Sequence, residues 1–168
     1  MILVVALFTA CDDPIDTTVP ALKVNPYNLE GTWQLSEWNG APLADSTYVY
    51  LVLDRKLTFE MYQNTGSMYS VLSTGTYKVE EDWRVGDIVS GVYDYEQGAW
   101  AHEYVVTDLY KESMVWTAKD DPADVQKFVR VSEVPDEIVE AVRWTNCLHS
   151  IKYALNSTNN SLFVEFFQ

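Results

Sequence analysis

The feature that most limits what this chain can fold into is the way its middle is cut into short runs. Between Gly31 and Ser132, segments rich in Val, Tyr, Thr and Trp are separated by turn residues. The first, 32–38 (TWQLSEW), ends in the turn pair Asn39-Gly40. The second, 48–53 (YVYLVL), closes on Asp54-Arg55-Lys56. The third, 57–62 (LTFEMY), alternates strictly: Leu57, Phe59 and Met61 share one face, and Thr58, Glu60 and Tyr62 the other. Asn64-Thr65-Gly66 turns the chain into 71–79, which runs into the polar Glu80-Glu81-Asp82. Runs 88–93, 100–106, 114–118 and 125–131 complete eight candidate strands. Alternation of period two recurs where a helix would need 3.6. Eight short strands with short connections predict an all-β fold, an eight-stranded antiparallel up-and-down barrel or a sandwich. Closure into a barrel removes sheet edges, and an eight-stranded interior is either filled by side chains or holds one small ligand.

Composition narrows the partners. The 168 residues carry 25 acids against 11 bases, a net charge of -14. Nucleic acid is excluded as a partner, because phosphate binding needs clustered Lys and Arg. Docking on an anionic lipid surface is disfavoured for the same reason. Six Trp, eleven Tyr and six Phe lean towards β structure, and 48% apolar residues suffice for a core.

Residues 1–10 (MILVVALFTA) are apolar and too few to span a bilayer, which takes about 20 residues. They read as a secretory signal peptide. Phe8-Thr9-Ala10-Cys11 resembles a bacterial lipobox, in which the chain is cut before the cysteine and the thiol is lipidated; Phe8 stands where Leu is usual. The competing reading is a buried strand with a structural cysteine. Residues 11–27 then read as a lipid anchor and an extended, acidic tether. With Cys11 lipidated, Cys147 has no disulfide partner.

The segment Leu29-Glu30-Gly31-Thr32-Trp33 resembles the opening of lipocalin-like domains, which carry G-x-W on their first strand. Lipobox, tether, G-x-W and the terminal Phe128-Val129-Arg130 together resemble the lipocalin-like lipoproteins of Gram-negative bacteria. That resemblance implies a barrel that binds a small apolar or amphipathic molecule. It also implies a cell-envelope address, lipid-anchored to the outer membrane on its periplasmic or outer side, and no catalytic activity or cofactor.

The resemblance covers about residues 28–140, and the barrel with a short C-terminal helix is expected over 28–143. The helix is read from Pro135 at a first turn, Asp136 and Glu137 after it, and apolar Ile138, Val139 and Val142. Residues 144–168 change character, with one acid and one base, and are an extra strand, a partner-binding extension or an out-of-frame read-through.

No motif carries chemistry. Two histidines and no paired cysteines give no zinc pattern, and neither a nucleophile elbow nor a phosphate loop is present. The acidic turn 120–124 lacks the spacing of a calcium loop. Catalytic and metal-ligating residues are therefore assigned to none.

The expected ligand wall is Phe59, Met61, Tyr77, Tyr93, His102, Tyr104 and Trp116. His102 alternates with Trp100, Tyr104 and Val106; if that face points outward instead, Ala101, Glu103 and Val105 lie inside. Trp33 and Arg130 are expected to meet where the last strand closes on the first, the alternative being an Arg130 that snorkels into solvent. In the recurring G-x-aromatic units at Gly31, Gly75 and Gly91, the aromatic two places on is expected to cover the glycine.

Three function classes follow: a hollow ligand-binding barrel, a filled interaction or structural module, and, least supported, an enzyme. An interior of about 300 Å³ or more favours the first.

Overall fold

The computed structural model describes residues 19–66, 69–95 and 97–145. The apolar run 1–10 expected to be a signal peptide, Cys11, Cys147 and nearly all of the 144–168 tail lie outside the described residues.

The strands are β1 (Gly31–Trp38), β2 (Ala41–Pro42), β3 (Tyr48–Leu53), β4 (Thr58–Asn64), β5 (Val71–Asp82), β6 (Gly86–Tyr93), β7 (Tyr104–Thr107), β8 (Ser113–Ala118) and β9 (Val125–Val131). From β3 to β9 each strand pairs antiparallel with the next. β1 pairs with both β3 and β9, which closes an eight-stranded barrel. The ninth strand, β2, is a two-residue flap hairpinned onto β1 through Asn39 and Gly40, both at positive φ (54° and 75°). Two positive φ values are what a tight hairpin requires, and Asn and Gly tolerate them best.

Several boundaries differ from the sequence reading, three of them with a visible cause. Leu57 is not in a strand but turns at φ 66°, its apolar side chain still packed against the core. The acidic 80–82 run continues β5 instead of breaking it, because Glu80, Glu81 and Asp82 pair with Ile88, Asp87 and Gly86. β7 begins only at Tyr104, since residues 100–103 leave the ladder.

One end of the barrel is closed from below by the chain that leads into it. A single helical turn, α1 (Pro26–Leu29), is capped by Asn25, whose side chain accepts from the Asn28 amide at 2.9 Å. The Leu22 amide donates to the Leu109 carbonyl, and Val24, Leu29 and Leu109 are buried. Within residues 22–27, read from sequence as tether, Val24 is thus packed while Leu22 and Tyr27 stay exposed. The stretch has no apolar periodicity of its own, because it fits an end of a barrel and not a face.

A second helix, α2, spans 136–145 and opens with the Ile138 and Val139 amides donating to the Pro135 carbonyl. Ile138 and Val142 pack outside the barrel against Tyr50 and Tyr62.

Candidate functional site

The barrel interior holds a continuous aromatic belt. Phe59 meets Tyr93 and Trp100 edge-on, with ring centroids 5.7 and 5.0 Å apart. Trp116 touches Trp100, Tyr104 and Phe128 at 5.6, 5.4 and 5.0 Å. Alternation alone places most of these rings, since inward residues on facing strands are direct partners, as are Val106 with Trp116 and Met114 with Phe128.

Above the belt, at the end away from α1, lies an interior cavity of about 160 Å³. Four of the seven expected wall residues line it: Met61, Tyr93, Tyr104 and Trp116. Phe59 and Tyr77 face inward but are buried in the core, not on the cavity. Tyr77 reaches the closed end, where its hydroxyl donates to the Asp54 carbonyl at 2.8 Å.

His102 is not on the interior cavity. Its parity with Tyr104 has no meaning outside the strand, and its Nδ1 lies 2.7 Å from Asp120 Oδ1 beside an outer cleft. This bond holds the Asp120 carboxyl below its ordinary range.

Further cavity residues were legible only in part. Leu35, Leu51 and Phe128 follow from the same alternation. Trp38 does not. The β1–β9 register shifts between Leu35 and Glu37, so Glu37 pairs outward with Lys127 and Trp38 is turned to the cavity rim opposite Gln126. Its indole donates to Asp124 at 2.6 Å.

Polar groups are sparse in the wall. Gln126 Nε2 donates to the Tyr104 hydroxyl at 3.3 Å. Burial pushes the Tyr104 and Tyr93 phenols above their ordinary range, so both are neutral donors at neutral pH. Among the described residues, three buried side-chain polar atoms have no hydrogen-bond partner: Ser90 Oγ, Trp100 Nε1 and Trp116 Nε1. Both indoles line the cavity.

At the opposite end, Trp33 and Arg130 are Cα partners across the β1–β9 closure. The guanidinium lies 4.0 Å from the Trp33 ring centroid. Its three nitrogens donate to carbonyls of Lys111 (2.6 Å), Glu30 (2.5 Å) and Asn28 (3.0 Å), and Trp33 Nε1 donates to that of Leu29 (2.8 Å). The carbonyls that the α1 turn leaves free are therefore taken by the closure pair. This is a brace and not a ligand wall, and burial pulls the Arg130 guanidinium below its ordinary pKa.

The glycines of the G-x-aromatic units are covered by side chains from elsewhere in the chain, and not by the aromatic two places on. A Cβ on Gly75 would lie 2.7 Å from the Phe59 ring, one on Gly91 2.2 Å from the Trp100 ring, and one on Gly31 2.1 Å from Arg130 Nη1. Phe59 and Gly75 are directly opposed, which is closer than two places along one strand.

Ser90, His102 and Asp120 line one outer cleft, but Ser90 Oγ has no hydrogen-bond partner, so no nucleophile is joined to a base. Among the described residues no group of three or more His, Cys, Asp or Glu is placed to hold a metal ion.

The lipocalin-like domain family matches residues 29–116 of the chain, from α1 through β8 up to Trp116. β9, with Phe128 and Arg130, closes the barrel beyond the matched stretch. No curated protein and no solved structure matches the chain.

Proposed function

From the premise that this chain belongs to the lipocalin-like domain family, we propose that it is a non-catalytic binding barrel of the bacterial cell envelope. Its ligand is a small, neutral, amphipathic molecule held at the mouth of the barrel. The observation that carries this reading is the 160 Å³ cavity lined by two buried indoles whose N–H groups have no partner. An unsatisfied buried donor costs about 1–3 kcal/mol, which a ligand with an acceptor oxygen recovers. An apolar cavity of roughly 150 Å³ takes a guest the size of benzene. The cavity is below the ~300 Å³ of ordinary ligand pockets, so the guest is one ring or a short chain. The net charge of -14 disfavours an anion.

The test uses p-cresol and acetophenone as probes against protein carrying 15N-labelled tryptophan. Saturable movement of the Trp116 indole resonance, abolished in a Met61→Trp variant that plugs the cavity, supports the reading. No movement with either probe sinks it and leaves the filled-module reading, which the small cavity volume favours.

The envelope address rests on the apolar run 1–10 ending at Ala10-Cys11 and on the acidic residues after it. Cys11 is lipidated in this reading and anchors the barrel to the outer membrane. A Cys11→Ser protein then moves to the soluble fraction; one that stays membrane-bound with unchanged mass removes the anchor.

A further inference from the structure

A cleft larger than the interior cavity lies outside the barrel. Strands β6 and β7 pair only at Ile88–Val105 and Val89–Tyr104, with an isolated bridge from Val92 to Ala99 beyond. Between these points residues 100–103 leave the ladder, and a cleft of about 700 Å³ opens on the outer wall. That volume is within the ~300–1,000 Å³ of small-molecule sites.

The cleft has the parts of a binding site. Ser90 is directly opposed to Lys78 on the outward face of the sheet, between inward Val89 and Gly91, and so points to the cleft side. It is 9% exposed, and its Oγ has no partner. Trp100 is 7% exposed, lines both this cleft and the interior cavity, and its Nε1 also lacks a partner. It forms the wall between them. The floor beside Trp100 is Gly91, Ala99 and Ala101, small enough for the apolar face of a ring to lie against backbone.

The rim decides the ligand's charge. Both lysines on it are already paired, Lys119 with Glu103 at 2.9 Å and Lys78 with Glu80 at 2.6 Å, and His102 Nδ1 lies 2.7 Å from Asp120 Oδ1. A charged ligand must break one of these pairs, and an anion must also approach a chain of net charge -14. A hydroxyl needs neither, because it donates to a carboxylate and accepts from an ammonium at once.

The cleft also continues. A second trough of about 390 Å³ shares Glu103 and Lys119 with it and runs past Ile88 to Trp83, which is 85% exposed with Arg84 over its ring at 4.6 Å.

We propose that this outer trough is a second binding site, independent of the interior one, and that it takes a neutral oligosaccharide. The sugar hydroxyls bridge the paired charges of the rim, one ring lies on the Gly-Ala floor, and another reaches Trp83.

The experiment titrates the full chain, with 15N-labelled tryptophan, with chitotriose, cellotriose and maltotriose to millimolar concentration. At least one is expected to move the Trp100 and Trp83 indole resonances, and to do so equally in the Met61→Trp variant. Lys119→Met, an exposed change that leaves the core untouched, is expected to weaken that saccharide's binding about tenfold. If none of the three moves Trp100, the proposal is overturned. It is overturned equally if the Met61→Trp plug of the interior cavity abolishes the Trp100 shift, which places the sugar inside the barrel, or if Lys119→Met binds as the parent does. The interior reading is tested separately by p-cresol at Trp116, so either site can fail alone.

Discussion

The Arg130 guanidinium lies over the Trp33 ring, 4.0 Å from guanidinium carbon to ring centroid, at the pairing that joins the last strand of the barrel to the first. The contact ties three parts of the chain together, because the same guanidinium also holds carbonyls of α1 and of the β7–β8 connection. Closure of the barrel is therefore coupled to closure of its lower end.

Arg130→Met is expected to destabilise the fold by about 2–4 kcal/mol, through the lost ring contact and three carbonyls left without a donor. Arg130→Lys should recover less than half, because an ammonium cannot stack as a plane and fork to three acceptors together. Urea unfolding of Arg130→Met, Trp33→Phe and the double variant gives the coupling, expected at about 0.5–2 kcal/mol. Additive losses would mean that the stacking itself contributes nothing.

Gly75→Ala and Gly91→Ala are expected to cost about 1–3 kcal/mol each, from overpacking. The first should be worse. Its Cβ meets the Val92 carbonyl at 2.1 Å as well as the Phe59 ring, whereas that of Gly91 meets only Trp100 among its nearest atoms. Denaturant midpoints rank the two, and the near-ultraviolet dichroism of Gly91→Ala should change as Trp100 shifts. Wild-type midpoints for both would contradict the close approach of these rings.

Alkali should unfold the protein through Tyr77. Burial, with Asp54 and Glu30 nearby, pushes its phenol up to about 12. The folded state thus favours the neutral form. That stabilisation is complete below the unfolded value of about 10 and is lost as the pH rises through the folded one. Tyr62, also pushed up to about 12 by burial and its bond to Glu60, adds to the slope. Stability measured between about pH 9 and 12 should fall less steeply in Tyr77→Phe than in the parent; equal slopes would clear Tyr77 of the effect.

Acid should act through the β3–β4 turn. Asp54 Oδ1 accepts from the Thr58 and Lys56 amides, both at 2.9 Å, and the Thr58 bond is the main cause that holds its carboxyl below the usual range. Its contribution is present above the unfolded value of about 3.9 and is lost as the pH falls through the lower folded value. Asp54→Asn is expected to flatten the stability profile between about pH 5 and 2 and to leave the alkaline limb unchanged. An acid limb unaltered by the substitution would assign it to other carboxylates.

What the sequence by itself determined is local. The runs 48–53 and 125–131 are strands with those limits, and the parity of Phe59, Trp116 and Phe128 sets which way each points. Alternation is a property of one strand's backbone, so it can be read without knowing the neighbour. Three features depended on the neighbour. The register shift after Leu35 belongs to the pairing of β1 with β9, and it places Trp38 at the cavity. His102 left the inner face because the ladder stops where Trp100 folds over Gly91, a residue nine places earlier whose missing Cβ makes the room. The packing of Val24 under the barrel, beside the bond from the Leu22 amide to the Leu109 carbonyl, depends on a residue far along the chain. The cavity volume is of the same kind: it is what remains when rings from separate strands have taken their places, and no single strand carries that information.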